Sequence, residues 1–346
     1  MTSSGKRPRM SDIARRVGVS QATVSLVLNR IPGTRISQET RRRVLEAAQE
    51  IGYRKGPAIQ QGARVIGLMI NELTTSQHLG SLLDGARDEA AANGCIVAVI
   101  ATLGDSEVEA AAVSYLTAQP LVGILYATLL TRAVTLPEAL RAIPTVLLNC
   151  HEAGDRLPAV VPSDVAGGFA ATATLIEAGH RRIAMICSED WIEASRDRLK
   201  GYRQALATYD IAPDASLVVK GGWTLAGGRA QTLRLLDLPD PPTAIFCFCD
   251  RVALGAYEAA AVRGLRIPDD LSIVGFDDEN IAADMAPPLT TLVLPHEDMA
   301  RWAVERLLDS DGTADAGPSL RRIKMECQLV HRGSVSAPPL RRVRLG

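Results

Sequence analysis

Residues 10–29 have the sequence MSDIARRVGVSQATVSLVLN, in which two short helical patterns flank a glycine. Both patterns have apolar residues at helical spacing, and these are Ile13, Ala14 and Val17, then Val24, Val27 and Leu28. Gly18 interrupts the first pattern, and Ser20 is a suitable N-cap for the second helix. The layout is typical of a helix-turn-helix that contacts DNA, although a helical hairpin without this role has the same pattern.

The other face of the predicted second helix is small and polar. Residues at positions i, i+1, i+4, i+5 and i+8 fall on one stripe, and these are Gln21, Ala22, Ser25, Leu26 and Asn29. Such a stripe can lie along base edges in the major groove of DNA, where an amide pairs with adenine and an apolar side chain contacts the thymine methyl group. We therefore expect the stripe to be exposed.

The charge of the chain is distributed unevenly. Residues 1–64 contain 13 Lys and Arg against 4 Asp and Glu, whereas the remainder contains 25 against 35, and the whole chain has a net charge of −1. A basic head on an acidic body predicts that nucleic acid binds at one end only. A third helix is predicted within residues 37–53, with Ser37 as its cap, so residues 1–55 form a three-helix DNA-binding domain.

Several motifs of the head occur together. They are Asp12-Ile13-Ala14, Gly18-Val19-Ser20, Thr23-Val24-Ser25, Asn29 and Ile51-Gly52-Tyr53. As one block they resemble the head of the lactose/galactose repressor family of bacterial transcriptional regulators. The resemblance implies DNA contacts from Ser11, Ser20, Gln21, Ala22, Thr23, Ser25, Leu26, Asn29 and Tyr53.

Residues 56–64 contain Gly and Pro and have no periodic apolar face, so they are predicted to be a short linker. Members of the family have a longer segment here, which forms a hinge helix and inserts a leucine into the minor groove. In this chain Gly62 or Ile59 stands at the place of that leucine, and Ile59 is therefore a candidate DNA contact.

From residue 65 onward, short β-rich segments alternate with helical ones, and this alternation predicts parallel sheets covered by helices on both faces. The pattern restarts near residue 162. We expect one lobe at about 65–161 plus 291–323, a second at about 162–290 plus 324–335, and a tail at 336–346. The predicted fold is thus a small all-α helix-turn-helix head plus a core of two doubly wound parallel-sheet lobes.

The resemblance extends over this core. Its motifs include Glu177-Ala178-Gly179-His180, Val274-Gly275-Phe276-Asp277-Asp278, Pro288-Leu289-Thr290-Thr291 and His331-Arg332-Gly333-Ser334. The family core resembles periplasmic sugar-binding proteins, which hold a small molecule between two lobes. The resemblance therefore implies a repressor that binds a pseudo-palindromic operator as a homodimer, or a tetramer, and responds to a small effector, with a carbohydrate expected.

Ligands of parallel sheets bind beyond the carboxyl ends of the strands. Six residues follow predicted strands or stand at their ends, and these are His78, Asn149, Trp191, Arg198, Cys249 and Asp277. Arg198, Asp277 and Asn149 provide donors and acceptors for hydroxyl groups, and Trp191 can pack against a sugar ring. By the family motifs, Arg198 and Asp277 are the effector-contacting pair, and we expect them to lie opposite each other across the effector cleft. Cys249 replaces the usual asparagine.

Each of these residues has a simpler interpretation. Arg198 can pair on the helix surface with Glu189, Glu193 or Asp197. Trp191 can serve lobe packing, His78 can be an ordinary loop residue, and Asp277 can cap a helix or turn.

Other functions are less consistent with the sequence. No GxGxxG or GxSxG motif is present, so an enzyme is not expected, and neither are catalytic residues or a cofactor. The six cysteines lie mostly in apolar segments, and no metal ion is expected. A purely sugar-binding receptor lacks a basic head and carries an export signal. Because no apolar run reaches the length of about 18 residues that a membrane span needs, we expect a cytoplasmic protein.

Overall fold

The computed structural model describes residues 8–28, 36–51, 53, 64–72, 77–309 and 322–339. The chain divides into two compact units. The first unit contains the described residues within Met1–Ile31, Ile36–Pro162 and Pro295–Met325. The second contains those within Ser163–Leu294 and Glu326–Gly346. Within the described ranges, the chain therefore passes between the units three times, after Pro162, Leu294 and Met325. The predicted linker lies outside the described residues, apart from Arg64.

The head consists of three helices, which are α1 (Met10–Val17), α2 (Gln21–Leu28) and α3 (Gln38–Glu50). Gly18 ends α1 with φ +76°, a left-handed conformation in which glycine has no steric penalty. Ile13, Val24 and Val44 are fully buried where the three helices meet. The predicted helix-turn-helix is confirmed, because the apolar face of each helix is directed into one small core.

The first unit also contains a six-stranded sheet in the order β11-β5-β4-β3-β1-β2, and every pair of neighbouring strands is parallel. Its strands are β1 (Arg64–Ile70), β2 (Cys95–Ala101), β3 (Leu121–Ala133), β4 (Thr145–His151), β5 (Ala159–Pro162) and β11 (Arg322–Met325). Three helices cover this sheet, namely α4 (Gln77–Ala92), α5 (Ser106–Thr117) and α11 (His296–Leu308).

Alternate residues of β1 face opposite sides of this sheet, as the two-residue period of a strand requires. Ile66, Leu68 and Ile70 pack with side chains of α4 and α11. Met69 packs with side chains of α5 on the other face. The mostly apolar sequence of the strand follows from burial on both faces.

The second unit has a four-stranded parallel sheet in the order β7-β6-β8-β9. Its strands are β6 (Ile183–Cys187), β7 (Val218–Lys220), β8 (Ala244–Cys247) and β9 (Ser272–Val274). Its helices are α6 (Asp164–Glu177), α7 (Glu193–Thr208), α8 (Leu225–Leu236), α9 (Asp250–Val262) and the short α10 (Asn280–Asp284). Side chains of α6 and α7 pack on one face of the sheet, and those of α8 and α9 pack on the other.

A small antiparallel pair, β10 (Thr291–Leu292) and β12 (Leu329–Val330), completes the second unit. The predicted α/β core of parallel sheets is thus confirmed. Within the described part of the chain, no helix combines the length and the apolar character that a membrane crossing requires.

Candidate functional site

The helix α2 begins with a side-chain cap. Ser20 Oγ accepts a hydrogen bond from the backbone N–H of Thr23 at 3.0 Å and lies 2.8 Å from Thr23 Oγ1. This geometry confirms the predicted N-cap. Ser20 is exposed and Thr23 is half-buried, so both hydroxyl groups are at the surface of the head.

The predicted stripe of α2 is not exposed in the structure. Ala22, Ser25 and Leu26 are only 4%, 5% and 5% exposed, and Gln21 is half-buried. The expectation of an exposed stripe is wrong for this structure because α2 packs against α11, where Asp298 accepts a hydrogen bond from Ser25. A sequence pattern in α2 alone gives no information on this second helix. Asn29, the last member of the stripe, lies outside the described residues.

Two further candidate DNA contacts lie at the same contact with α11. Ser11 forms a side-chain hydrogen bond with Glu305. Tyr53 is half-buried, its burial raises its pKa to about 12, and Arg301 is among the charged groups around it. Ile59 lies outside the described residues. The structure therefore brings Ser11, Ser25 and Tyr53 together, but against the protein's own helix.

Arg198 on α7 is held by two carboxylates and one backbone carbonyl of the second unit. Its Nε donates to Asp164 Oδ1 at 2.8 Å, and its Nη1 donates to the Phe248 carbonyl at 2.5 Å and to Asp277 Oδ1 at 3.2 Å. The expectation that Arg198 and Asp277 face each other across a cleft is wrong, since they are in direct contact within one unit. Surface pairing with acidic neighbours on α7 is also wrong, because Arg198 is only 3% exposed.

Two phenylalanine rings enclose the guanidinium group. Arg198 Cζ lies 3.6 Å from the ring centroid of Phe276 and 4.7 Å from that of Phe248. Burial alone would lower the pKa of Arg198, but Asp164 and Asp277 raise it above its ordinary value, so the group stays charged. Nη2 makes no hydrogen bond to the described residues, and its N–H groups are therefore the donors that this site can offer to a ligand.

Trp191 and Trp223 form an exposed aromatic pair beyond the carboxyl ends of β6 and β7. Their ring centroids are 6.0 Å apart with an interplanar angle of 89°, and the two side chains are 64% and 42% exposed. Such exposure does not support the interpretation of Trp191 as packing within a lobe. Cys249 is buried, and its Sγ lies 3.8 Å from the Trp223 carbonyl, so this thiol contacts the Trp223 loop instead of facing solvent.

Asn149, the candidate polar contact of the first unit, uses its amide within the protein. Its Nδ2 donates to the carbonyls of Thr128 and Leu129 at 2.9 and 2.8 Å, and Thr131 Oγ1 donates to its Oδ1 at 2.7 Å. These bonds span the irregular segment of β3 between Ala127 and Arg132. Asn149 is 1% exposed, so it positions the backbone and does not present its amide to a ligand.

His78 lies near the start of α4, and its ring centroid is 5.1 Å from that of His296 at the start of α11. Asn149 Nδ2 is 3.5 Å from His296 Nε2. The structure therefore brings two of the predicted residues of the first unit, His78 and Asn149, close to a histidine that the sequence pattern did not single out.

The sequence pattern also missed three residues that contact Arg198, namely Asp164, Phe248 and Phe276, and it missed Trp223, which contacts Trp191. Asp164 lies two residues after the end of β5 and Trp223 lies three residues after the end of β7, so the strand-end rule could have selected both. Phe248 and Phe276 had no such signal, because a buried phenylalanine at the end of a strand has the same pattern as an ordinary core residue.

The head is a basic helix-turn-helix, and the rest of the chain forms two parallel α/β units. The second unit holds a charged site at the carboxyl ends of its strands. These features together define a DNA-binding regulator with a ligand-binding core. Residues 9–55 match the model of bacterial regulatory proteins of the lacI family, and residues 172–335 match that of a periplasmic binding protein-like domain. The chain belongs to the LacI family and is a DNA-binding regulator of transcription.

Relatives and solved structures agree with this assignment. The HTH-type transcriptional repressor CytR of Escherichia coli K12 is 32% identical over 335 residues, which cover 95% of this chain and 97% of CytR. The structure of the transcriptional regulator CelR in complex with cellobiose is 28% identical in sequence, with a TM-score of 0.65, and the match covers 95% of this chain and 100% of the CelR chain. The lac repressor dimer bound to operator and the anti-inducer ONPF is 26% identical in sequence, with a TM-score of 0.65, and the match covers 96% of this chain and 100% of the lac repressor chain. These relatives are regulators, not enzymes.

Proposed function

We propose that the protein is a repressor that binds a pseudo-palindromic operator as a homodimer and changes its DNA affinity when a neutral carbohydrate binds to the core. In this proposal residues 1–55 are the DNA-binding domain, residues 56–64 are a linker, and the effector domain spans 65–335. The observation that carries the proposal is the buried Arg198, which contacts two carboxylates and two phenylalanine rings within the second unit.

The chemistry of this site favours a neutral polyol. Arg198 contributes the N–H groups of Nη2, and Asp277 contributes carboxylate oxygens, so the site offers both donors and acceptors at close range. A dianionic ligand would be repelled by Asp164 and Asp277, whereas an apolar ligand would leave buried polar groups without partners, at a cost of about 1–3 kcal/mol each. The exposed faces of Trp191 and Trp223 can stack on a sugar ring, and the similar CelR was solved with cellobiose.

A homodimer is supported by apolar side chains at an edge of the first unit's sheet. β2 is an edge strand, and Ile96, Val99 and the following Leu103 are 37%, 43% and 69% exposed. Exposed apolar groups along an unpaired strand favour association with a second copy of the same surface. The lac repressor structure, which is similar, contains a dimer. As a regulator that acts on operator DNA, the protein would work in the cytoplasm.

No catalysis forms part of this proposal. The cysteines are buried, and burial raises the pKa of Cys247, Cys249 and Cys327, so these thiols are poor nucleophiles. The regulators to which the chain is similar are consistent with a binding function.

Two experiments with the full chain test the proposal. Selection from random DNA should return sites with two inverted half-sites, and binding without sequence preference would overturn the operator assignment. A panel of neutral sugars, nucleosides and sugar phosphates should then be screened by thermal shift, since a ligand that binds only the folded protein raises its melting temperature. A neutral sugar that also changes operator affinity is the expected result, and a response confined to the other compounds would overturn the carbohydrate assignment.

A further inference from the structure

The helix that covers the DNA-contacting stripe of α2 presents carboxylates to the head. Three of these acids are Asp298, Glu305 and Asp309. The first two are seven residues apart, or about two helical turns, and the last two are four residues apart, or about one turn. They therefore lie along one face of α11 and its C-terminal end. Each accepts a hydrogen bond from the head: Asp298 from Ser25, Glu305 from Ser11, and Asp309 Oδ1 from Arg9 Nη1 at 2.9 Å.

The three donors are of the kinds that contact anionic oxygens of DNA. Serine hydroxyls and arginine guanidinium groups make many of the hydrogen bonds between proteins and phosphate oxygens. Ser11 and Ser25 are also among the DNA contacts that we propose for this head. The side-chain oxygens of Asp298 and Glu305 accept hydrogen bonds, as phosphate oxygens do, and Asp309 forms an ion pair with Arg9.

We infer that α11 is an internal binding surface for the head, on which side-chain oxygens of Asp298, Glu305 and Asp309 occupy the place of phosphate oxygens of DNA, so that a docked head cannot bind operator. The inference rests on the proposed DNA-binding role of α2. Because Ala22, Ser25 and Leu26 are buried in the docked form, the same side chains cannot contact bases. The measured operator affinity is then reduced by the fraction of molecules whose head is docked.

The burial of the stripe comes from docking and not from the fold of the head itself. Ala22 and Leu26 do not belong to the apolar core that α1, α2 and α3 share, whereas Val24 and Val27 do. The contact with α11 is also imperfect, since Asp298 Oδ1, Glu305 Oε1 and Arg301 Nε are buried without hydrogen-bond partners among the described residues. Unpartnered polar atoms raise the free energy of the docked form, so DNA can displace α11 from the head.

Thiol labelling of the full chain tests docking without DNA. The six native cysteines are buried, so an introduced thiol can be followed alone. Ala22→Cys should react with a maleimide about tenfold or more slowly than Gln49→Cys, which places the thiol on an exposed position of α3, since labelling needs the docked head to open. Adding Asp298→Asn and Glu305→Gln, whose neutral amides resemble the protonated acids of the docked form, should slow labelling at position 22 further and leave position 49 unchanged. Equal labelling rates at the two positions in the otherwise unchanged chain would overturn docking.

Operator affinity then tests whether docking is inhibitory. The variant with Asp298→Asn and Glu305→Gln should bind operator about fivefold more weakly than the unchanged chain, because docking no longer requires protonation of two acids and more heads are docked. Asp84→Asn is the matched control, since this exposed carboxylate of α4 pairs with Arg87 and not with the head, and it should leave the affinity unchanged. An equal loss in Asp84→Asn would assign the effect to general charge and overturn the inhibitory role. Failure of every form to bind operator, with slow labelling at position 22, would instead contradict the proposed function.

Discussion

Arg198 Nη1 lies 3.2 Å from Asp277 Oδ1, so the two groups that we propose as effector contacts also hold each other in place. Asp164 engages the other side of the same guanidinium group at 2.8 Å. Removal of Arg198 would therefore take away the guanidinium group that lies against both acids. The site is therefore part of the structural core of the second unit as well as a place for a ligand.

Arg198→Lys should separate these two roles. Lysine keeps the positive charge but loses the planar group that stacks between the phenylalanine rings and offers Nη2, so effector affinity should fall about tenfold or more. Calorimetry with the identified effector measures this loss, and Arg203→Lys at an exposed position of α7 is the control. Arg198→Ala should instead lower the free energy of unfolding by about 3–5 kcal/mol. An unchanged effector affinity in Arg198→Lys would remove Arg198 from the site.

Two glycines of α4 should respond in opposite ways to alanine. A Cβ atom at Gly85 would lie 2.2 Å from the carbonyl oxygen of Glu297 on α11, whereas one at Gly80 has no heavy atom within 4 Å. We expect Gly85→Ala to lower the free energy of unfolding by about 1–3 kcal/mol, because the two helices must separate. Gly80→Ala should raise it by about 0.5–1 kcal/mol. Urea unfolding measures both, and equal midpoints would contradict the close packing of α4 on α11.

Operator affinity should depend on pH through the docked head. Burial raises the pKa of Asp298 and that of Glu305 to about 8 each in the docked form. At any pH between the ordinary pKa values of these acids and 8, the two side chains therefore take up protons when the head docks. The docked form is then fully stabilised at low pH and loses this stabilisation as the pH rises toward 8. We expect the operator affinity of the unchanged chain to fall as the pH is lowered from 8 to 6.

The charged neighbours of these acids determine the control for this prediction. Asp298 is surrounded by Ser25, Glu297 and Arg301, and Glu305 by Arg9, Ser11, Glu89 and Asp309. The variant with Asp298→Asn and Glu305→Gln retains all of these neighbours. Its affinity, measured by fluorescence anisotropy at constant ionic strength, should depend less on pH than that of the unchanged chain. A constant ratio of the two affinities across this pH range would refute the linkage.

Gln21→Ala should relax the operator preference at one base pair in each half-site. The side chain begins α2, and its amide can make two hydrogen bonds to adenine once the head is released. The expected loss is about 1–3 kcal/mol of discrimination at that position, measured by selection from random DNA. Gln49→Ala on α3 removes a similar side chain from an exposed position and should change nothing. An unchanged preference in Gln21→Ala would assign base contact to another residue.

Local patterns predicted the elements of the fold better than the surroundings of single side chains. The helices predicted from Glu107 and Ala194 begin at Ser106 and Glu193, because amphipathic spacing and strand-end turns are local properties. The exposure of Leu26 was predicted incorrectly, since its burial depends on α11 near the other end of the chain. The structural role of Asn149 could not be predicted for a similar reason, because its amide donates hydrogen bonds to the backbone carbonyls of Thr128 and Leu129 in the neighbouring strand β3. The positions of α/β elements thus follow from short-range periodicity, whereas the partners of polar groups require the tertiary structure.

The edge-to-face pair of Trp191 and Trp223 provides an intrinsic fluorescence signal for the proposed effector site. The chain has three tryptophans, and the third, Trp302, lies on α11 in the first unit. Two of the three indoles therefore stand where we propose that the effector binds, and both are exposed to water before it does. A sugar ring stacked on either indole would displace that water and change the ultraviolet emission of the unlabelled chain. Dissociation constants, and the rates at which effectors enter and leave, can then be recorded on the native chain without dye, DNA or substitution.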